Sequence, residues 1–142
     1  MKYYIASTLS NVEPVRRVRD YLKSFGHEIT HDWTTHGAVW NKGTQACRET
    51  LDLEINGVLN ADVVIVLWPA GRGSHFEMGL AVGAGKKIIF YSPIEGHHYP
   101  SPDLCVFYLH PLVEHHSDWM KLVERLSLLP NSFAYENILG VS

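Results

Sequence analysis

Apolar positions along the chain switch between two spacings, and the switching outlines the elements. Tyr3 to Ser7 is a short apolar run bounded by polar residues and predicts a first strand. Val15, Val18, Leu22 and Phe25 then recur at steps of three and four, the helical period, and Gly26 follows where a helix end takes a left-handed residue. Ser10-Asn11-Val12-Glu13 fits a capping box opening that helix, with Pro14 tolerated in the first turn. His27 to Thr30 predicts a second strand, and residues 31–43, rich in Thr, Gly and Trp, a loop. Thr44 to Asn60 predicts a second helix, which Gly57 weakens by about 1 kcal/mol relative to Ala. Asp62 to Leu67 is the clearest strand, apolar on both faces as central parallel strands are. Ser74 to Ala84 predicts a helix ended by Gly85, Lys87 to Tyr91 a fourth strand, and the proline-bearing residues 92–104 a loop. Val106 to Leu109 predicts a fifth strand and His116 to Leu128 a final helix, while the last dozen residues follow no pattern.

Strands alternating with helices predict one α/β domain over residues 1–142. The expected architecture has three layers around a five-stranded, mostly parallel sheet, with a flavodoxin-like or Rossmann-like strand order. At 46% apolar and 19% charged residues the composition is that of a globular protein with a real core. A net charge of -3 gives no electrostatic case for polymeric nucleic acid as a partner. No apolar run approaches the roughly 20 residues of a membrane helix, and Met1-Lys2 leads into a strand rather than a signal peptide. Cys47 and Cys105 lie far apart without metal-ligand spacing and read as reduced, buried thiols, which points to the cytoplasm. Nine histidines include the adjacent pairs His97-His98 and His115-His116, but no His-x-x-x-His helix pair, so no metal site and no cofactor are read from them.

In open α/β sheets ligands bind at the carboxyl ends of the strands. The first strand brings Tyr4, Ser7 and Thr8 there, and the second brings Asp32 and Trp33 together with His31. The third brings Gly71, Arg72, Gly73, Ser74 and Glu77, and the fourth Ser92 with Ser101 beyond it. Gly71 and Gly73 allow close backbone approach to an anion, the following helix N-terminus offers N–H groups, and Arg72 could add a bidentate contact. Glu77 admits two readings. It can close a capping box with Ser74, or it can be a reactive carboxylate, with Glu54 or Asp52 on the preceding helix as its acid–base partner. Two carboxylates in one cleft suit attack on an acetal-like centre such as an N-glycosidic bond.

Tyr4-Ile5-Ala6-Ser7, Ala61-Asp62-Val63-Val64, the Gly-x-Gly-x-x-x-Glu-x-Gly-x-Ala run from Gly71 to Ala81, and Gly85-Lys86 together resemble the nucleoside 2-deoxyribosyltransferase family. That family includes 2'-deoxynucleoside 5'-phosphate N-hydrolases and CMP-type N-glycosidases. The resemblance implies that Glu77 is the nucleophile at C1' and that Tyr4, or Tyr3 if the register slips by one, orients it beside the sugar. It places Glu54 where the family has an Asp that manages the proton of the leaving base, with Asp52 as the alternative. Thr8 and Ser101 fall on phosphate-binding serines, the latter presented to a neighbouring subunit, and Gly71 replaces an acidic residue of the transferases. Ser10 stands where the hydrolases carry an Arg, which leaves Arg72 to supply the positive charge. Asp32 and Trp33 would read the base, one by hydrogen bonds and the other by stacking.

The implied function is cleavage of a nucleoside 5'-monophosphate or nucleoside, with transfer to water, in a homodimer or larger homo-oligomer with shared sites. The alternatives are base exchange onto a second base, a non-catalytic nucleotide-binding module, and a flavodoxin-like regulatory domain in which Glu77 only caps its helix.

Overall fold

The computed structural model describes residues 1–98 and 101–131. All but the first of the unpatterned last dozen residues therefore lie outside the described part. Five strands form one parallel sheet: β1 (Lys2–Ala6), β2 (Glu28–Ile29), β3 (Val63–Leu67), β4 (Lys87–Tyr91) and β5 (Val113–His116). Their order is β2-β1-β3-β4-β5, the flavodoxin-like arrangement. Helices α1 (Val12–Ser24) and α4 (Trp119–Ser127) pack together on one face, and α2 (Thr44–Asn60) and α3 (Arg72–Gly83) on the other. Among the described residues no helix is long and apolar enough to cross a membrane.

Burial follows the hydrophobic pattern closely. Every residue of β3 is fully buried, which accounts for its unbroken apolar run. On α1 the stripe is Val15, Val18 and Leu22; Phe25 falls past the helix end and is 45% exposed, so it is not part of the predicted stripe. Gly26 takes the left-handed conformation expected of it, at φ +83°. The Ser10–Glu13 capping box does not form. Asn11 occupies the N-cap, and Ser10 Oγ lies 3.3 Å from Thr8 Oγ1. The Asn11 amide instead donates to Ser7 Oγ at 2.9 Å and to the Trp68 carbonyl at 3.3 Å, tying two strand ends together.

The fifth strand lies elsewhere than the apolar run suggests. Val106–Leu109 is a 3-10 turn in which Tyr108 alone is buried, its ring edge-on to Phe90 at 4.7 Å. The strand is Val113–His116, inside and just before the stretch predicted as helix, and α4 starts only at Trp119. Its polar sequence suits a sheet edge: Glu114 accepts from Arg125 Nε at 2.9 Å and from His116 Nε2 at 2.6 Å, with Lys87 Nζ at 3.5 Å. The hydrogen bonds from His116 and Arg125, with the Arg125 and Lys87 charges, hold the Glu114 carboxyl below its ordinary pKa despite partial burial.

Gly57 has a packing reason that outweighs its helix penalty. A methyl there would come within 3.0 Å of both His31 Cβ and Tyr4 Cδ2, so the bare backbone lets α2 sit on β1. Gly57→Ala is expected to destabilise the fold by about 1–2 kcal/mol in urea unfolding, because overpacking costs more than the roughly 1 kcal/mol gained in helix propensity. A stabilised variant would refute this close contact.

Candidate active site

The carboxyl ends of β1 and β3 are stapled by one side chain. Ser7 Oγ donates to the Leu67 carbonyl at 2.7 Å and lies 3.1 Å from that of Pro69, while Thr8 N–H donates to the Pro69 carbonyl at 2.9 Å. Above this floor opens a cavity of about 480 Å³. Ser7, Thr8, Leu9 and Ser10 form one side of it and Trp33 and Glu54 another, and Gly71, Gly73, Ser74 and Glu77 close it from α3.

Helix α3 begins at Arg72, two residues earlier than the pattern suggests, and this settles how Glu77 is placed. Gly71 is the N-cap, and Ser74, at N3, accepts from Gly71 N–H at 3.3 Å. Glu77 therefore sits beyond the first turn and caps nothing. Its side chain enters the cavity, with Oε1 3.9 Å from where a Gly73 Cβ would lie. Glu77 Oε2 is buried and has no protein hydrogen-bond partner, and the same holds for the fully buried Tyr4 hydroxyl. The two groups face each other closely enough for each to perturb the other's titration, without reaching hydrogen-bond geometry in the resting protein.

Alternation along β1 distinguishes the two tyrosines. Tyr3 points to the α1 face, where its hydroxyl donates to the Arg19 carbonyl at 3.1 Å, and burial pushes its phenol up to about 12. Tyr4 points to the α2–α3 face, toward Glu77. Burial, then the Glu77 carboxylate, pushes the Tyr4 phenol far above its usual range, so it stays a neutral donor. Burial raises Glu77 to about 8, the nearby Tyr4 hydroxyl opposes the rise, and the Glu54 charge adds to it. Burial also raises Glu54, against a lowering by His36.

The remaining predicted residues divide. Glu54 lines the cavity, whereas Asp52, two residues away, is exposed and does not. Ser7, Thr8, Gly71, Gly73 and Ser74 are all at the cavity wall, while Arg72 is exposed at the first turn of α3 and is not among the lining residues. Trp33 is a wall with its indole N–H committed to the Ile5 carbonyl at 2.8 Å. Asp32 is turned away. Its Oδ1 caps the 3-10 turn Trp33–Thr35, accepting from Thr34 N at 3.0 Å and Thr34 Oγ1 at 2.6 Å, and its Oδ2 pairs with Arg19 at 2.9 Å. An aspartate so engaged is not available to read a base in this cavity. Ser101 lines a separate small cavity with His97, Leu104 and Tyr108, and is not brought to Glu77 within one chain. Leu9 is a lining residue that the pattern did not single out.

Both cysteines are free thiols and only half-buried. Among the described residues no group of three or more His, Cys, Asp or Glu side chains is placed to hold a metal ion. Two carboxyl groups lining one open cavity, with a neutral phenol near one of them, can attack an electrophilic carbon and manage the leaving group's proton.

Comparison with known proteins identifies a family and a fold. The profile of the nucleoside 2-deoxyribosyltransferase family matches residues 3–126. Among solved structures, the chain is similar in fold to the Clostridium botulinum CMP N-glycosidase BcmB. The two share 16% sequence identity at a TM-score of 0.63, over 90% of this chain and 100% of that one. No curated protein matches the chain.

Proposed function

The chain belongs to the nucleoside 2-deoxyribosyltransferase family, and from that premise we propose that it cleaves the N-glycosidic bond of a nucleoside 5'-monophosphate or nucleoside through a glycosyl-enzyme on Glu77. The observation that carries the reading is the pair of buried, unpartnered polar atoms, Tyr4 Oη and Glu77 Oε2, near each other, with Glu77 lining the cavity and Tyr4 behind it. Buried polar groups are nearly always paired, and exceptions need a reason. A sugar ring carrying developing positive charge at C1' supplies one.

In the first step a Glu77 carboxylate oxygen bonds C1' while the C1'–N bond breaks, and the electron pair leaves with the base. Glu54 in its protonated form, which burial favours, gives its proton to the departing nitrogen. In the second step water attacks C1', the ester bond to Glu77 breaks, and Glu54 takes the proton from the water. The products are free base and the sugar or sugar phosphate. The Tyr4 hydroxyl donates to Glu77 as it becomes ionised. A 5'-phosphate fits against the Thr8 and Ser10 hydroxyls and the α3 N-terminus, where free N–H groups favour an anion and Arg72 stands one residue away. The absence of any carboxylate at Gly71 suits the same group.

Screening base release across ribo- and deoxyribonucleosides and their monophosphates tests the proposal, and no release from any of them would overturn it. A second free base in the assay separates outcomes, since only a transferase returns a new nucleoside. Glu54→Gln should lower release by about 10²-fold or more, while Asp52→Asn leaves it unchanged; equal effects would remove the assignment of Glu54. The exposed apolar groove between α2, α3 and the turn at 106–109, lined by Leu59, Phe76, Leu80 and Phe107, supports pairing with a second copy of the chain.

A further inference from the structure

Where the base would lie is not answered by Asp32, which is committed elsewhere, nor by the Trp33 edge, which is bonded to Ile5. A second cavity of about 240 Å³ adjoins the first and shares Leu9 and Glu54 with it. The loop before α2 and the outer side of α2 build its walls, with Val39, Trp40, Thr50 and Leu51 prominent. Three of the chain's exposed large apolar side chains converge there: Trp40 at 78% exposure, Leu51 at 49% and Leu9 at 48%.

The turn that carries Trp40 is fixed at its base. The Val39 carbonyl accepts from Lys42 N–H at 2.9 Å and from the Cys47 thiol at 3.4 Å, which ties the turn to α2. On its other side the Gly37 carbonyl accepts from His36 Nδ1 at 2.8 Å. An indole held out on an anchored turn, beside a cavity that opens onto the proposed proton donor, is arranged to meet a flat ring.

We propose that this second cavity is the leaving-base subsite, in which a planar heteroaromatic base lies against Trp40 with its glycosidic nitrogen at Glu54. The inference rests on the N-glycosidase reading for its chemistry, but not for its binding geometry. A nucleotide would then straddle the two cavities, with its sugar at Glu77, its base over Trp40, and Glu54 at the junction. Apart from Glu54, the side chains around this cavity offer a base edge little beyond the Thr50 hydroxyl and the Cys47 thiol. The subsite therefore reads the face of the base rather than its edge. Face contacts are tolerant, because every base has a π-face. The chain should accept several bases.

The test is equilibrium binding to the whole protein, by calorimetry, of adenosine, guanosine, cytidine and uridine 5'-monophosphates, with ribose 5-phosphate as the baseless control. Trp40→Ala should weaken all four nucleotides by about 5- to 100-fold, the span of base–aromatic stacking. Ribose 5-phosphate should bind as before, and Trp40→Phe should restore most of the loss. Circular dichroism checks that the exposed substitution leaves the fold intact. The proposal is overturned if Trp40→Ala changes nucleotides and ribose 5-phosphate equally or not at all. It is equally overturned if the wild type binds nucleotides no better than the sugar phosphate, or if the substitution changes only the oligomeric state. A preference for one base above about 100-fold would show edge reading and overturn the tolerant-face assignment. Should nucleotides bind through Trp40 yet release no base, the catalytic reading fails while the subsite stands.

Discussion

Glu77→Gln is expected to lower base release by about 10⁴-fold or more while the protein remains folded, since removal of a covalent nucleophile costs on this order. The carboxylate oxygen is what bonds C1', and an amide of the same shape cannot replace it. A second, independent readout comes from stability. Glu77 titrates near 8 in the folded protein against an ordinary value of 4.5. The native state therefore keeps a proton that the unfolded chain releases, and its stability falls as pH rises from about 4.5 to 8. Gln carries no such proton. The Tm of Glu77→Gln relative to wild type should therefore climb across that window, by at least about 3 °C between pH 5 and pH 8.5. A purely structural Glu77 would show this rising difference without the loss of base release. Full activity in the Gln variant would end the nucleophile assignment.

Tyr4→Phe is the second large effect, and its signature is a displaced pH profile. Only ionised Glu77 can attack while Glu54 carries the proton, so base release by the wild-type protein should follow a bell-shaped pH profile, with one limb set by Glu77 at a midpoint near 8. The Tyr4 hydroxyl favours the ionised form of Glu77 and holds that midpoint down. Without it the midpoint should move to higher pH, and release at pH 7 should drop by about 10²-fold, the usual cost of one aimed donor. Stability should not fall, because the variant deletes a buried hydroxyl that has no partner in the resting protein. A Phe variant with an unchanged midpoint would show that Tyr4 only fills space.

Much of this arrangement was legible in the amino-acid order, and the exceptions have physical causes. β3 announces itself because burial on both faces leaves no room for polar residues. Glu77 could be located from its distance beyond β3 alone. Its helix start is hidden in the sequence because the N-cap, Gly71, has no side chain to advertise the role, whereas Ser74 looks like a cap and in fact serves at N3. Asp32 occupies the expected strand end, but its direction is decided by Arg19, thirteen residues upstream, through a contact that no local spacing encodes. The Val106–Leu109 run suggests a strand by its apolar clustering, while the true β5 hides behind polar groups that satisfy each other at the sheet edge. Trp40 carries no periodic signal. It acquires meaning only when the loop is folded back on α2.

The placement of β3 has a consequence beyond catalysis. Val63-Val64-Ile65-Val66-Leu67 is the kind of uncharged, β-branched segment that seeds fibrils when uncovered. Here it is two strands in from either margin, shielded by β1 and β4. The margins themselves are stubs, two residues long at β2 and four at β5, the latter carrying Glu114 and two histidines. Neither offers a foreign chain enough bare backbone to extend the ladder. The molecule can thus keep an amyloid-prone core without inviting its own copies to polymerise.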